Sequence, residues 1–234
     1  MKDFIENFLR LFFPEQCRIC GTPLLESELC VCRRCDIRLP RTRFHLKQGN
    51  AAEQCFYGKV DIERVASFGY FRKDNDLRRI IHRMKYHDAP HTAYLMGKLY
   101  ARELMHGGWH TDVDLLVPVP LHPLKEMQRG YNQSEQIARG IGSVWGTAVE
   151  TRVLRKRRHN GSQTTRSLEE RYENTLNVFK ARRGDLIEGR HVVLVDDVLT
   201  SGSTLEACAH ALHAVANVRI SVLTIGFAGE GPGV

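Results

Sequence analysis

The chain has 234 residues, 42% of them apolar and 26% charged, with a formal net charge of +7. That length suits one sizeable core plus a small accessory module. No stretch approaches the roughly 18 uninterrupted apolar residues that a spanning helix needs, which excludes an integral membrane protein of that kind.

In chain order, the opening "MKDFIENFLRLFFP" interrupts its apolar run with Asp3, Glu6 and Arg10. It has no small-residue cleavage site, so it fails as a secretion signal. Phe4, Ile5, Phe8, Leu9, Phe12 and Phe13 recur at helical spacing and predict a short amphipathic helix docked on the body, with a helix lying on a membrane surface as the alternative.

Five of the seven cysteines follow within the first 35 residues. Without a secretion signal, such density points to metal or thiol chemistry in a reducing compartment rather than to disulfides. Cys17 and Cys20 form one Cys-x-x-Cys, and Cys32 and Cys35 form a second after eleven intervening residues. Two such knuckles make the tetrahedral four-thiolate set that zinc prefers, and a closed set of this kind is structural, not catalytic. Its binding energy, on the order of 10 kcal/mol, can fold a segment too small for a core of its own. The competing reading is four buried or free thiols. Cys30, two residues before Cys32, is a possible substitute ligand. His45 is a possible ligand too but is expected to be solvated, Cys55 stands alone, and Cys208 reads as a small core residue.

From "RVASFGYF" onward strand-like and helix-like segments alternate. "NDLRRIIHRMKY", "TAYLMGKLYARELMH" and "NQSEQIARGIGSVW" have helical periodicity; "VDLLVPVP" is an apolar strand leading into a Pro-rich loop. "HVVLV" and "VRISVLTIGF" are the continuous apolar runs of strands buried on both faces of a parallel sheet. The expected fold is therefore α/β, a mostly parallel sheet flanked by helices with right-handed crossovers, behind a small N-terminal zinc module. The expected boundary separates 1–60, the amphipathic helix and cysteine module, from 61–234.

The positive charge is concentrated. Thr151 to Arg183 holds ten basic residues, including Arg152, Arg155, Lys156, Arg157, Arg158, Arg166, Arg171 and Lys180, against three acidic ones. Such a cluster can attract phosphates or nucleic acid, or can simply be a solvated face.

"VVLVDDVLTSGSTL" carries the most chemistry. Asp196 and Asp197 close the strand "HVVLV", where ligands of open α/β sheets bind. The loop Thr200, Ser201, Gly202, Ser203, Thr204 leads into the helix "LEACAHALHAV", and its small residues let backbone N–H groups approach an anion. A phosphate cannot sit on two carboxylates, but vicinal ribose hydroxyls can. Phosphate on one side and diol on the other make a ribose 5-phosphate. Neither a Walker loop nor a G-x-G-x-x-G dinucleotide motif is present. A two-aspartate magnesium site and a ligand-free helix cap are the alternatives.

These residues resemble the phosphoribosyl pyrophosphate (PRPP) signature of the type I phosphoribosyltransferases. The resemblance assigns Asp196 and Asp197 to the ribose hydroxyls and Thr200 to Thr204 to the 5-phosphate. The chain resembles one branch in particular, the ComF family of competence proteins, which joins a zinc ribbon to this domain. That likeness runs from "LFFPEQCRIC" through "MKYHDAP", "VPVPLHPLKEMQRGYNQSE" and "RKRRHNGSQTTRSLEERYENTLNVF" to the acid pair. It places Lys125 and Arg129 in the pyrophosphate loop as phosphate-facing cations, and Arg158, Gln163 and Arg171 in a closing flexible loop. Where many relatives carry a second pair of knuckles, only Cys55 stands here.

The resemblance implies structural zinc, magnesium carried with PRPP, and a role in natural transformation. It implies binding of single-stranded DNA along Arg155, Lys156, Arg157 and Arg158, beside a helicase-like partner. It also implies a cytoplasmic location, with peripheral contact at the inner membrane during DNA uptake as an alternative. An active transferase needs an acceptor-base pocket, which the Gly-rich "GFAGEGPGV" does not supply in readable form. Three readings therefore stand: a PRPP-binding competence protein, an active phosphoribosyltransferase, and a zinc-ribbon adaptor with a degenerate site.

Overall fold

The Val- and Ile-rich runs pair with one another because strands apolar on both faces are stable only between neighbours and under helices. The computed structural model describes residues 14–86, 89–156 and 178–229. Its strands are β1 (Arg64–Tyr70), β2 (Leu115–Pro118), β3 (Ala148–Val149), β4 (Leu154–Lys156), β5 (Phe179–Ala181), β6 (His191–Leu199) and β7 (Arg219–Phe227). Five of them form one sheet in the order β1-β7-β6-β2-β3, every pair parallel. β4 and β5 form a separate antiparallel ribbon.

The chain leaves β2 for β3 on one side and β6 for β7 on the other, so the strand order reverses between β2 and β6. A crevice opens at such a reversal, outside the carboxyl ends of the strands.

The helices are α1 (Arg33–Arg38), α2 (Asp76–Tyr86), α3 (Ala89–Met105), α4 (Pro123–Arg129), α5 (Gln133–Trp145) and α6 (Ser203–His213). α2 lies across the carboxyl edge of the sheet. A Cβ at Gly69 of β1 would come within 2.8 Å of the Leu77 side chain, and one at Gly226 of β7 within 3.0 Å of Ile81. Glycine at both strand ends is what lets the helix descend this far. The cysteine module packs on the same edge: the Phe44 ring meets Tyr70 and Phe227 edge-on at 5.9 and 5.4 Å.

Three expectations are corrected. The Pro-rich loop after β2 contains α4, which His122 caps and Pro123 opens at the position where a missing N–H costs nothing. β6 runs on through Leu199, so the acid pair lies within the strand, at its sixth and seventh residues, instead of beyond it. His45 is buried, not solvated, because it packs beside Glu103 with its Nδ1 3.6 Å from Oε1. Cys208 is fully buried, as expected of a core residue. The amphipathic opening helix falls outside the described residues. Among the described residues no helix is long and apolar enough to cross a membrane.

Candidate functional site

The acid pair is approached from three elements. On β6, Asp197 is buried and Asp196 partly so. From the start of α5, the Ser134 hydroxyl donates to Asp196 Oδ1 at 2.8 Å and Gln133 Nε2 donates to Asp197 Oδ2 at 3.0 Å. From the end of α2, Lys85 Nζ lies 2.9 Å from that same Oδ2. Arg129 Nη1 in turn donates to Gln133 Oε1. Asn132 anchors this arrangement: its side chain caps α5 through the Ser134 N–H and donates to the Val119 carbonyl at 3.0 Å, tying the helix to the end of β2.

Burial, then the charge of Asp197, pushes the Asp196 carboxyl up to about 7. Asp196 Oδ1 also accepts from the Asp197 N–H at 2.9 Å. Among the described residues this leaves Asp196 Oδ2 and Asp197 Oδ1 without a hydrogen bond. One acceptor therefore stands open on each carboxylate. Two adjacent donors, such as those of a vicinal diol, match that pattern.

The loop 200–204 follows directly. Gly202 has φ +85°, which glycine adopts at no steric cost, and it rests against Phe56 and Cys55. Thr200, Ser201, Ser203 and Thr204 are exposed. No side chain caps α6, so its first N–H groups face outward with the positive end of the helix dipole. A loop of exposed hydroxyls and outward N–H groups thus follows directly on the two open acceptors.

The other expected site residues are placed differently. Lys125 is exposed on α4 and makes no contact with the acid pair, whereas Arg129 reaches it through Gln133. Arg155 and Lys156 lie on β4, with the Lys156 ammonium 5.4 Å from the centre of the Phe179 ring. Arg157, Arg158, Gln163 and Arg171 lie outside the described residues. Lys85, Gln133 and Ser134 were not singled out from the sequence. Lys85 ends a helical pattern and looks like any surface lysine, and the only pointer to Gln133 and Ser134 was their place just after a helix-capping Asn.

The cysteine module brings together the Sγ atoms of Cys17, Cys20, Cys32 and Cys35, all within 4.8 Å of one another. Cys20 and Cys32 are 3.7 Å apart. Tetrahedral zinc, with Zn–S of about 2.3 Å, requires sulfurs about 3.8 Å apart, so the donor set fits a metal such as zinc. Hydrogen bonding with Thr22 lowers the Cys20 thiol to about 6. Cys30 points away, its thiol 3.5 Å from the Met96 sulfur, and burial pushes it up to about 12. Neither Cys30, His45 nor Cys55 joins the four-sulfur group.

Residues 127–231 match the phosphoribosyl transferase domain family. DNA utilization protein YhgH of Escherichia coli (strain K12) is 26% identical over 217 residues, covering 86% of this chain and 92% of the relative. Competence protein ComFC of Bacillus subtilis (strain 168) is 28% identical over 196 residues, 84% of this chain and 70% of the relative. Competence protein F of Haemophilus influenzae is 29% identical over 110 residues, 47% of this chain and 48% of the relative. The chain is thus a homologue of proteins named DNA utilization protein YhgH, Competence protein F and Competence protein ComFC, with a type I phosphoribosyltransferase fold behind a four-cysteine cluster compatible with a zinc ribbon.

Proposed function

We propose that the crevice between β2 and β6 binds PRPP or another ribose 5-phosphate, and that the protein uses this site while handling single-stranded DNA. The observation that carries the proposal is the pair of open acceptors, Asp196 Oδ2 and Asp197 Oδ1, beside the uncapped start of α6. The ribose 2- and 3-hydroxyls donate to the two carboxylates, and the 5-phosphate accepts from the N–H groups and hydroxyls of 200–204. Arg129, held against Gln133, is the cation assigned to the pyrophosphate in this reading.

In this reading a divalent cation is carried with the pyrophosphate of the ligand. A two-aspartate magnesium site is the alternative, since the ammonium and the amide both sit on Asp197 Oδ2.

DNA handling is supported by the relatives' names and by the ribbon, where Arg155 and Lys180 face each other across β4 and β5. Like charges directly opposite destabilise a strand pair, so a polyanion is the partner that offsets them. A helicase-like partner, structural zinc and contact with the inner membrane complete the proposal. Turnover of PRPP with a base is the second reading, and pyrophosphate release would reveal it.

The test is a melting titration with PRPP and magnesium. A ligand at 100 times its Kd raises stability by about 2.7 kcal/mol. The wild type should shift in melting temperature and Asp196→Asn/Asp197→Asn should not. Equal shifts in both proteins, or none in either, would overturn the assignment.

A further inference from the structure

The acid pair sits at the carboxyl edge of β6 with a cation already seated on it, and that cation comes from outside the matched domain. Lys85 belongs to α2, whereas the domain match begins at residue 127. α2 touches one strand end after another at four-residue steps: Leu77 against Gly69 of β1, Ile81 against Gly226 of β7, and Lys85 against Asp197 of β6. The helix packs closely over both glycines, and this approach sets the ammonium at the acid pair. Its side chain is 28% exposed and that of Asp197 is 9% exposed, so the ion pair is shielded from screening but open on the ligand side.

We propose that Lys85 is a built-in counter-cation that lets the acid pair hold a ribose 5-phosphate without a divalent metal. The inference rests on the ribose-phosphate reading above and concerns how that site balances charge. Two adjacent carboxylates would repel an incoming phosphoester; the Lys85 ammonium removes one unit of that repulsion. It sits on Asp197 Oδ2, leaving Oδ1 for a sugar hydroxyl. A metal ion on that same oxygen would have to displace an ammonium at 2.9 Å. Metal is then needed only by the pyrophosphate of PRPP. Lys85 is a positioning residue in this scheme, acting through Asp197.

The experiment measures affinity for ribose 5-phosphate by calorimetry, in EDTA and in magnesium, for wild type, Lys85→Met and Lys85→Arg. PRPP in magnesium is the companion ligand, and melting curves report folding of each variant. Wild type should bind ribose 5-phosphate with the same affinity, within about twofold, in both buffers. Lys85→Met should bind about tenfold more weakly in EDTA, or about 1.4 kcal/mol, and recover part of this with magnesium. Lys85→Arg should retain metal-free binding, a rescue that a merely structural lysine would not show. The inference falls if wild type needs magnesium for ribose 5-phosphate, or if Lys85→Met matches wild type in EDTA. If PRPP binds wild type in magnesium while ribose 5-phosphate fails in EDTA, only this inference is lost. If neither ligand binds wild type in magnesium, the ribose-phosphate reading falls and takes the inference with it.

Discussion

Gly140 of α5 and Tyr94 of α3 meet backbone to backbone: a Cβ on Gly140 would collide with the Tyr94 carbonyl oxygen. Gly97 of α3 meets the Ile137 carbonyl in the same way. α5 is thereby pulled close against α3, and its first turn, bearing Gln133 and Ser134, is delivered to the acid pair. Gly140→Ala is expected to destabilise the protein by about 1–3 kcal/mol, since overpacking forces the backbone apart. Denaturant midpoints measure this, and PRPP affinity should fall in the same variant because both donors move.

Asp196 supplies a pH prediction. Its folded pKa, about 7, lies above the ordinary carboxylate value, so the folded protein holds this proton more tightly than the unfolded chain. Stability is then lost as pH rises from about 4 to about 7, the reverse of a salt-bridged aspartate. Asp196→Asn keeps an oxygen for the Ser134 hydroxyl and removes the charge. It should stabilise the protein at pH 8 by about 2 kcal/mol and lose that advantage near pH 4. A variant no more stable than wild type at pH 8 would contradict the assigned burial cost.

For the cysteine module, elemental analysis separates the ligands from their neighbour. Cys32→Ser should abolish metal uptake and lower the melting temperature, because a metal held by these four thiolates would contribute folding energy. Cys30→Ala should keep full metal content and lose only core packing against Met96. Metal loss in Cys30→Ala would move that thiol into the site.

Ser134→Ala deletes one donor to Asp196 and nothing else that the acid pair uses. A hydrogen bond of this kind is worth about 0.5–1.5 kcal/mol, so PRPP affinity should fall about 2- to 13-fold. The isosteric Ser134→Cys should fall between alanine and wild type. Titration calorimetry at fixed magnesium reads both.

On the ribbon, one substitution should move two properties in opposite directions. Lys180→Glu replaces a like-charge pair with Arg155 by an attractive one and should stabilise the protein by up to about 1 kcal/mol. It should also weaken single-stranded DNA binding and flatten its salt dependence, since fewer counterions are released. Unchanged affinity and slope would take the ribbon off the DNA path.

Features written in one continuous stretch are legible from residue order. The strand, acid pair, hydroxyl-rich turn and helix from 191 to 213 follow one another directly, so local backbone preferences are enough to aim them. The two Cys-x-x-Cys knuckles are likewise local, and their spacing was enough to name the four sulfurs that come together. Tertiary structure decided what crosses between elements. Lys85 lies more than a hundred residues before Asp197 and meets it only because β1 and β7 stand beside β6 and α2 runs over their ends. Gln133 and Ser134 depend on the approach of α5 to α3, and the burial of His45 on Glu103 of α3. Periodicity shows which face of a helix is apolar; it does not show which strand end that helix will lie across, because long-range packing alone sets that choice.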